Sequence, residues 1–377
     1  MKVLDRYMVR QLGTATFLAV AVLSVVLVLG NLFKQIFDLI VNRNAPYEFL
    51  LTFVSYILPF SMTFTLPWGF LTAVLLVFGR MSAEHELTAL RSSGVSMARI
   101  CATTFGLAVV CVGVCLWINL DFAPRKQAAF KEAIYDLAVQ RPLAMFDTDR
   151  VIDVFPGLKI YIERNDGQQL HNLLVYEVGR DSEPQKVIFA RRGQIHTDPA
   201  NHRLLLDIFD ARFEQRDPGA PQNFSRIRQG ITLHKSTLPI SLEELYVRYK
   251  KNRTLTSLTL SDLLGRLRSG THADGVTALP PAELAGYRVE INRRFSLSLA
   301  CLAFALVAVP LAVGAQRRET TAGFLLSLVV AFFYFLLMIM AGWVKNRPEW
   351  HPEWLIWLPT LVFLGLGAHL FRRLAAR

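Results

Sequence analysis

Six stretches of this chain are too long and too apolar for an ordinary soluble core. Leu12–Phe33 runs for 22 residues without a charge, and Phe49–Phe78, Met97–Leu120, Phe295–Ala315, Thr321–Val344 and Trp354–Phe371 resemble it. A helix of roughly 20 apolar residues crosses a hydrocarbon layer about 30 Å thick. Inside lipid every backbone N–H and C=O must find its partner within the protein, so stretches of this kind have to be helices. The first is not read as a signal peptide: its apolar part is too long and no small-residue cleavage site follows it. The second holds Pro59 and Pro67; prolines there kink a span or mark its ends.

At Asp121 the composition changes. Pro124–Val139 reads as a polar helix, and from Val151 the pattern becomes strands. Lys159–Glu163, Asn172–Val178, Lys186–Arg191, Arg203–Phe213 and Phe224–Leu233 are β-rich. Turn signals at Asn165-Asp166-Gly167, Asp181-Ser182, Asp198-Pro199 and Asp217-Pro218-Gly219 separate them. Short strands with frequent turns predict a sandwich or open jelly-roll. Ser241–Lys251 and Leu260–Ser269 return to a helical period, and Thr271–Pro281 is a polar linker. The expectation is therefore an α-helical membrane protein with six transmembrane helices, three plus three, and an inserted all-β, jellyroll-like domain. Residues 1–120 carry the first three spans, 121–285 the β domain with flanking helices, and 286–377 the last three.

A net charge of +11 raises the question of nucleic acid, but the cations sit at span ends, where the positive-inside bias accounts for them. One set of ends holds Lys2, Arg6, Arg10, Arg80, Arg91, Arg99, Arg317, Arg318, Arg372, Arg373 and Arg377; the other holds Lys34, Arg43, Lys345 and Arg347. Eleven against four places both termini in the cytoplasm and the β domain outside, in the periplasm of a cell with two membranes. Trp343, Trp350 and Trp354 suit an interfacial belt. All four cysteines, Cys101, Cys111, Cys115 and Cys301, lie in apolar runs, so the insert needs no disulfide.

Catalytic signatures are absent. The sequence has no GxxxxGK[ST], no HExxH and no GxSxG, and His196 and His202 flank a turn without metal spacing. No cofactor or metal is expected, and no enzyme activity. Away from their ends the spans carry no Asp, Glu, Lys or Arg, whereas ion-coupled carriers usually keep a few despite the cost. If the chain uses energy, a partner supplies it.

The stretch Ser82–Gly94, SAEHELTALRSSG, lies between the second and third spans. It predicts a short amphipathic helix with Ser82 as N-cap, Glu84 and Glu86 in the first turn, and a stop at Gly94. Leu87, Leu90 and Gly94 share one face; Glu84, Thr88 and Arg91 share another. Such a helix either docks into a groove of an ATPase or lies on lipid. Lipid-surface helices usually lead with Lys or Arg; this one leads with two glutamates.

At these residues the chain resembles the LptF/LptG permeases of lipopolysaccharide export. The resemblance is carried by Leu4-Asp5-Arg6-Tyr7, Leu66-Pro67, Leu75–Arg80, Ser82–Ser96, and Ala282–Arg294 leading into Phe295–Pro310. It extends over essentially the whole chain. It implies an ABC-transporter subunit that pairs with a paralogous permease, is driven by the cytoplasmic ATPase LptB, and hands lipopolysaccharide taken from the inner membrane to jellyroll proteins of the LptC and LptA type. Glu84, Glu86, Leu87, Leu90 and Arg91 are then the candidate ATPase-coupling residues. Lys34, Arg293 and Arg294, at outer span ends, are candidate contacts for lipid phosphates. The alternatives are a permease for another lipid or lipoprotein, and a membrane anchor that displays a β domain without transport.

Overall fold

The apolar stretches are helices in the computed structural model, which describes residues 2–37, 47–140, 151–152, 155, 157–166, 169–178, 184–198, 203–216, 227–241, 254–271, 278–314, 320–343, 349 and 351–375. The expected helix Ser241–Lys251, apart from Ser241, which is the last residue of a strand, the loop 316–319, the turns at 181–182 and 217–219, His202, Arg43, Lys345, Arg347 and Arg377 lie outside these. Two compact units form: Met1–Lys34 with Leu50–Ala128 and Thr254–Arg377, and Gln35–Phe49 with Ala129–Arg253.

In chain order the helices are α1 Lys2–Phe37, α2 Tyr47–Ala83, α3 Glu86–Ser92, α4 Met97–Trp117 and α5 Ala123–Gln140. A 3-10 turn at Leu255–Ser257 then leads to α6, Leu260–Ser269; α7 is Pro281–Gly314, α8 Thr320–Trp343, α9 Pro352–Leu355 and α10 Leu358–Ala375. Six helical segments among the described residues are long and apolar enough to cross a membrane. The expected third span and the polar helix after it follow one another without a loop, through a π turn at Ile118–Phe122. Pro124 has no N–H for the carbonyl of Leu120, and the ladder widens where that bond is missing. Asn119 ties this turn to α7, its amide donating to Ser298 Oγ at 3.0 Å.

Helices α2 and α7 are the most buried of the six spans and α1 the least. Phe70, Phe78, Phe304 and Tyr334 fill the core. Three polar side chains bond one another there: Tyr334 Oη lies 2.9 Å from Thr360 Oγ1, which lies 2.7 Å from Ser296 Oγ. Phe17, Leu18, Val22, Val25 and Val26 of α1 stay exposed, as suits a face in hydrocarbon. Thr259 begins α6 with a capping box closed by Asp262, so the helix predicted over Leu260–Ser269 forms with those bounds.

The second unit is a six-stranded antiparallel sheet with its strands in chain order. They are β1 Val151–Ile152, β2 Leu158–Asn165, β3 Leu170–Val178, β4 Pro184–Asp198, β5 Arg203–Arg216 and β6 Ile227–Ser241. The last eight of the 15 residues of β6, His234–Ser241, lie beyond the predicted strand, which stopped at Leu233. Pro239 argues against a strand there, but β6 ends the sheet order, and an edge strand tolerates the missing donor.

A crease crosses this sheet. On one side the inward rungs are Ile160–Val175–Ile188–Phe213–Ile231 and Ile162–Leu173–Ala190–Ala211–Leu233. On the other they are Gly193–Ile208–Ser236, Ile195–Leu206–Leu238 and Thr197–Leu204–Ile240. Between them, in register, lie Glu163, Asn172, Arg191, Asp210 and His234, where the inward side changes from one parity to the other. Strict alternation allows no such change. It is made by left-handed backbone at Asn172 (φ 51°) and Asp210 (φ 51°), residue types that tolerate that region. Asn172 Nδ2 donates to the Glu163 carboxylate at 2.6 Å along the fold. One creased sheet thus closes both halves on a single core of Ile160, Leu173, Ile188, Leu206 and Ile208, as two sheets do in a sandwich.

Candidate functional site

The stretch between α2 and α4 differs from its predicted form at its start. Ser82 does not cap a new helix; it lies in the last turn of α2, its hydroxyl donating to the Val313 carbonyl at 3.4 Å. The helix runs five residues beyond the apolar stretch ending at Phe78, because Met81 still packs in the core and backbone bonds continue to Glu84 N–H, which donates to Arg80 O at 2.9 Å. His85, at φ 60°, makes the break. Glu84 is therefore in a two-residue turn, and only Glu86 is in the first turn of α3.

The rest of α3 matches the predicted faces. Leu87 is buried and Leu90 half-buried against the helical core; Thr88 and Arg91 are exposed. Gly94, at φ 85°, ends the segment, with its N–H donating to Arg91 O and that of Val95 to Leu90 O. Ser96 then caps α4, its hydroxyl accepting from Arg99 N–H at 3.3 Å.

Residues far off in the chain brace this segment. Tyr7 of α1 donates its hydroxyl to both oxygens of Glu86, at 3.2 and 3.3 Å. Two residues earlier, Asp5 accepts from Arg99 Nη2 at 2.6 Å and from Thr103 Oγ1 at 2.8 Å. These partners are 79 to 98 residues apart in the chain. In the sequence their one signal is the Leu4-Asp5-Arg6-Tyr7 quartet, which carries the family resemblance but no indication of these bonds.

The span-end cations are placed unequally. Lys34 falls within the last turn of α1, and its side chain lies outside the described residues. Arg294 is 4% exposed. Its Nε donates to Glu290 at 3.1 Å, Nη1 to the Leu258 carbonyl at 2.8 Å, and Nη2 to the carbonyls of Leu255 and Thr256 at 3.0 and 3.3 Å. A guanidinium has five N–H donors, and this one is used to hold the 255–258 turn on α7. Arg293 pairs with the same Glu290 carboxylate, at 2.9 and 3.0 Å, and keeps 27% of its side chain exposed.

The β unit has an open apolar cleft of about 300 Å³, lined by Ile188, Phe213, Ile231, Leu233 and Leu238, with Glu177, Lys186 and Glu214 beside them. Leu238 lies across the crease from the other four apolar residues. Ile231 and Leu233, on the edge strand, are 53% and 41% exposed. Lys186 and Glu177 pair at 3.1 Å.

Six apolar spans, an inserted antiparallel β domain and a short helix displayed between spans two and three define a multi-pass membrane protein of the permease type. The family model for the lipopolysaccharide export system permease LptF/LptG matches residues 6–373, essentially the whole chain, and the chain belongs to that family. It is thus a transporter subunit of the inner membrane concerned with lipopolysaccharide export and not itself a catalyst. No curated protein matches the chain significantly.

Proposed function

We propose that this chain is one permease half of an ABC transporter that extracts lipopolysaccharide from the outer leaflet of the inner membrane. It pairs with a paralogous permease, and an ATPase of the LptB type docks on the cytoplasmic side at Glu84–Arg91. The observation that carries this reading is α3 itself. It is held down by Leu87 and Leu90 and offers Thr88 and Arg91 outward, with Glu84 exposed at its approach. The two leucines serve as the seat of the helix and the charged groups as its contact with the partner. Charges at such a rim set docking register.

Lipid phosphates meet Lys34 and Arg293, while Arg294 supports them by ordering the 255–258 turn. The β domain receives the acyl chains in its cleft: Phe213, Ile231, Leu233 and Leu238 give an apolar wall open at a sheet edge. Jellyroll proteins of the LptC and LptA type take the lipid on from there. The excess of basic residues at the termini and around α3 supports a periplasmic β domain.

The test is purification of the complex with its ATPase, identification of the bound lipid, and the same with Glu86→Lys. The expected outcome is co-purified lipopolysaccharide with wild type and loss of the ATPase or of lipid movement per ATP with the variant. Normal assembly and extraction by Glu86→Lys would remove the docking role from this helix.

A further inference from the structure

We propose that the N-terminal turn of α1 is a positioning element for the docking helix, with Tyr7 aiming the Glu86 carboxylate and Asp5 anchoring that turn to α4. This rests on the docking reading above and adds residues it did not include. Helix α3 has seven residues, and its N-cap His85 makes no side-chain capping bond. A helix this short does not hold itself in water. Leu87 and Leu90 fix its depth, yet Glu86 is half-buried and on the approach side, with a long side chain that has several rotamers to choose from.

Tyr7 makes that choice. Its hydroxyl reaches both carboxylate oxygens, and a phenol is a neutral donor. It fixes where the negative charge sits without cancelling it, which a lysine or arginine in the same place would do. Glu86 is thus ordered before a partner cation arrives, and less freedom is lost when it does. The hydroxyl needs a fixed base. Asp5 supplies it through a bond to Arg99 at 2.6 Å and one from Thr103 at 2.8 Å, both on α4. The turn bearing Asp5 and Tyr7 therefore bridges the two ends of the segment from Glu86 to Arg99. Tyr7 is a positioning residue that acts through Glu86.

The experiment uses the intact permease pair in lipid discs and the purified ATPase, with Tyr7→Phe, Asp5→Asn, Glu86→Gln and the double variant Tyr7→Phe/Glu86→Gln. ATPase affinity, lipid extracted per ATP and melting temperature are measured. Tyr7→Phe is expected to weaken ATPase binding about 3- to 10-fold, the range for loss of one hydrogen bond, and to leave the melting temperature unchanged. Asp5→Asn is expected to act in the same direction. The double variant should bind no more weakly than Glu86→Gln alone, because the hydroxyl has nothing left to aim. Wild-type affinity in Tyr7→Phe or Asp5→Asn, or effects of Tyr7→Phe and Glu86→Gln that multiply, overturns the proposal while Glu86→Gln remains defective. Wild-type affinity in Glu86→Gln overturns the docking reading and this proposal together.

Discussion

Gly193 and Leu173 meet across the sheet crease so closely that a Cβ on the glycine would stand 3.1 Å from both δ-carbons of the leucine. Leu206 would be 3.5 Å away. A side chain at this position needs the leucine to give way by a few tenths of an ångström. Gly193→Val is expected to destabilise the β domain by about 1–3 kcal/mol, the usual cost of overpacking. Faster amide exchange in β3, β4 and β5 of the intact chain, with the helices unaffected, would be the readout. Unchanged exchange would mean that the crease can open to admit the methyls.

Glu290 and Arg294 are 3% and 4% exposed. Arg293 and Arg294 both pair with Glu290, but only Arg294 also serves the carbonyls of Leu255, Thr256 and Leu258, and each buried acceptor left without its donor costs about 1–3 kcal/mol. Arg294→Ala should therefore lower the melting temperature markedly, and Arg293→Ala much less, since Arg294 still serves the carboxylate. Equal losses in thermal unfolding would show that the two arginines share the task.

Orientation is open to thiol labelling. Cys101, Cys111, Cys115 and Cys301 are all buried, so the native background is low. Asp166→Cys should react with an impermeant reagent added to the periplasmic side, and Ser92→Cys should not. The reverse pattern would invert the topology.

Lys34→Glu and Arg293→Glu are each expected to reduce crosslinking of lipopolysaccharide within the permease pair and to leave ATPase binding unchanged. Arg293 already shares a carboxylate with Arg294, so its variant should have the smaller effect. Full crosslinking in Lys34→Glu would make that lysine an interfacial anchor only.

The spans were legible because hydrocarbon imposes one rule on every residue from Leu12 to Phe33 or from Phe295 to Ala315. Their ends were not, because a helix stops where its backbone bonds stop. Nothing before His85 announces that Ser82 and Ala83 still belong to α2. The strands were legible from alternation and turns. The crease was not: it depends on Asn172 and Asp210 lining up across β4, and each alone reads as an ordinary polar residue. At the candidate site Leu87, Thr88, Leu90 and Arg91 follow from period alone, whereas the bonds of Tyr7 and Asp5 join residues that only the packing of α1 brings near.

The early turn at His85 has a mechanical consequence. Two residues separate α2 from α3, and Leu87 and Leu90 pack into the same core as Phe78 and Met81. A two-residue connection thus joins the proposed docking helix directly to the second span. From Ala83 to Pro67 that span is about 24 Å long at 1.5 Å per residue. A tilt of about 10° at its foot would carry Pro67 sideways by about 4 Å, roughly the width of one side chain. Pro67 and Pro59 lie within the rest of α2, and each removes one bond from its backbone ladder, so a push delivered at the foot would bend the helix most easily at those two places.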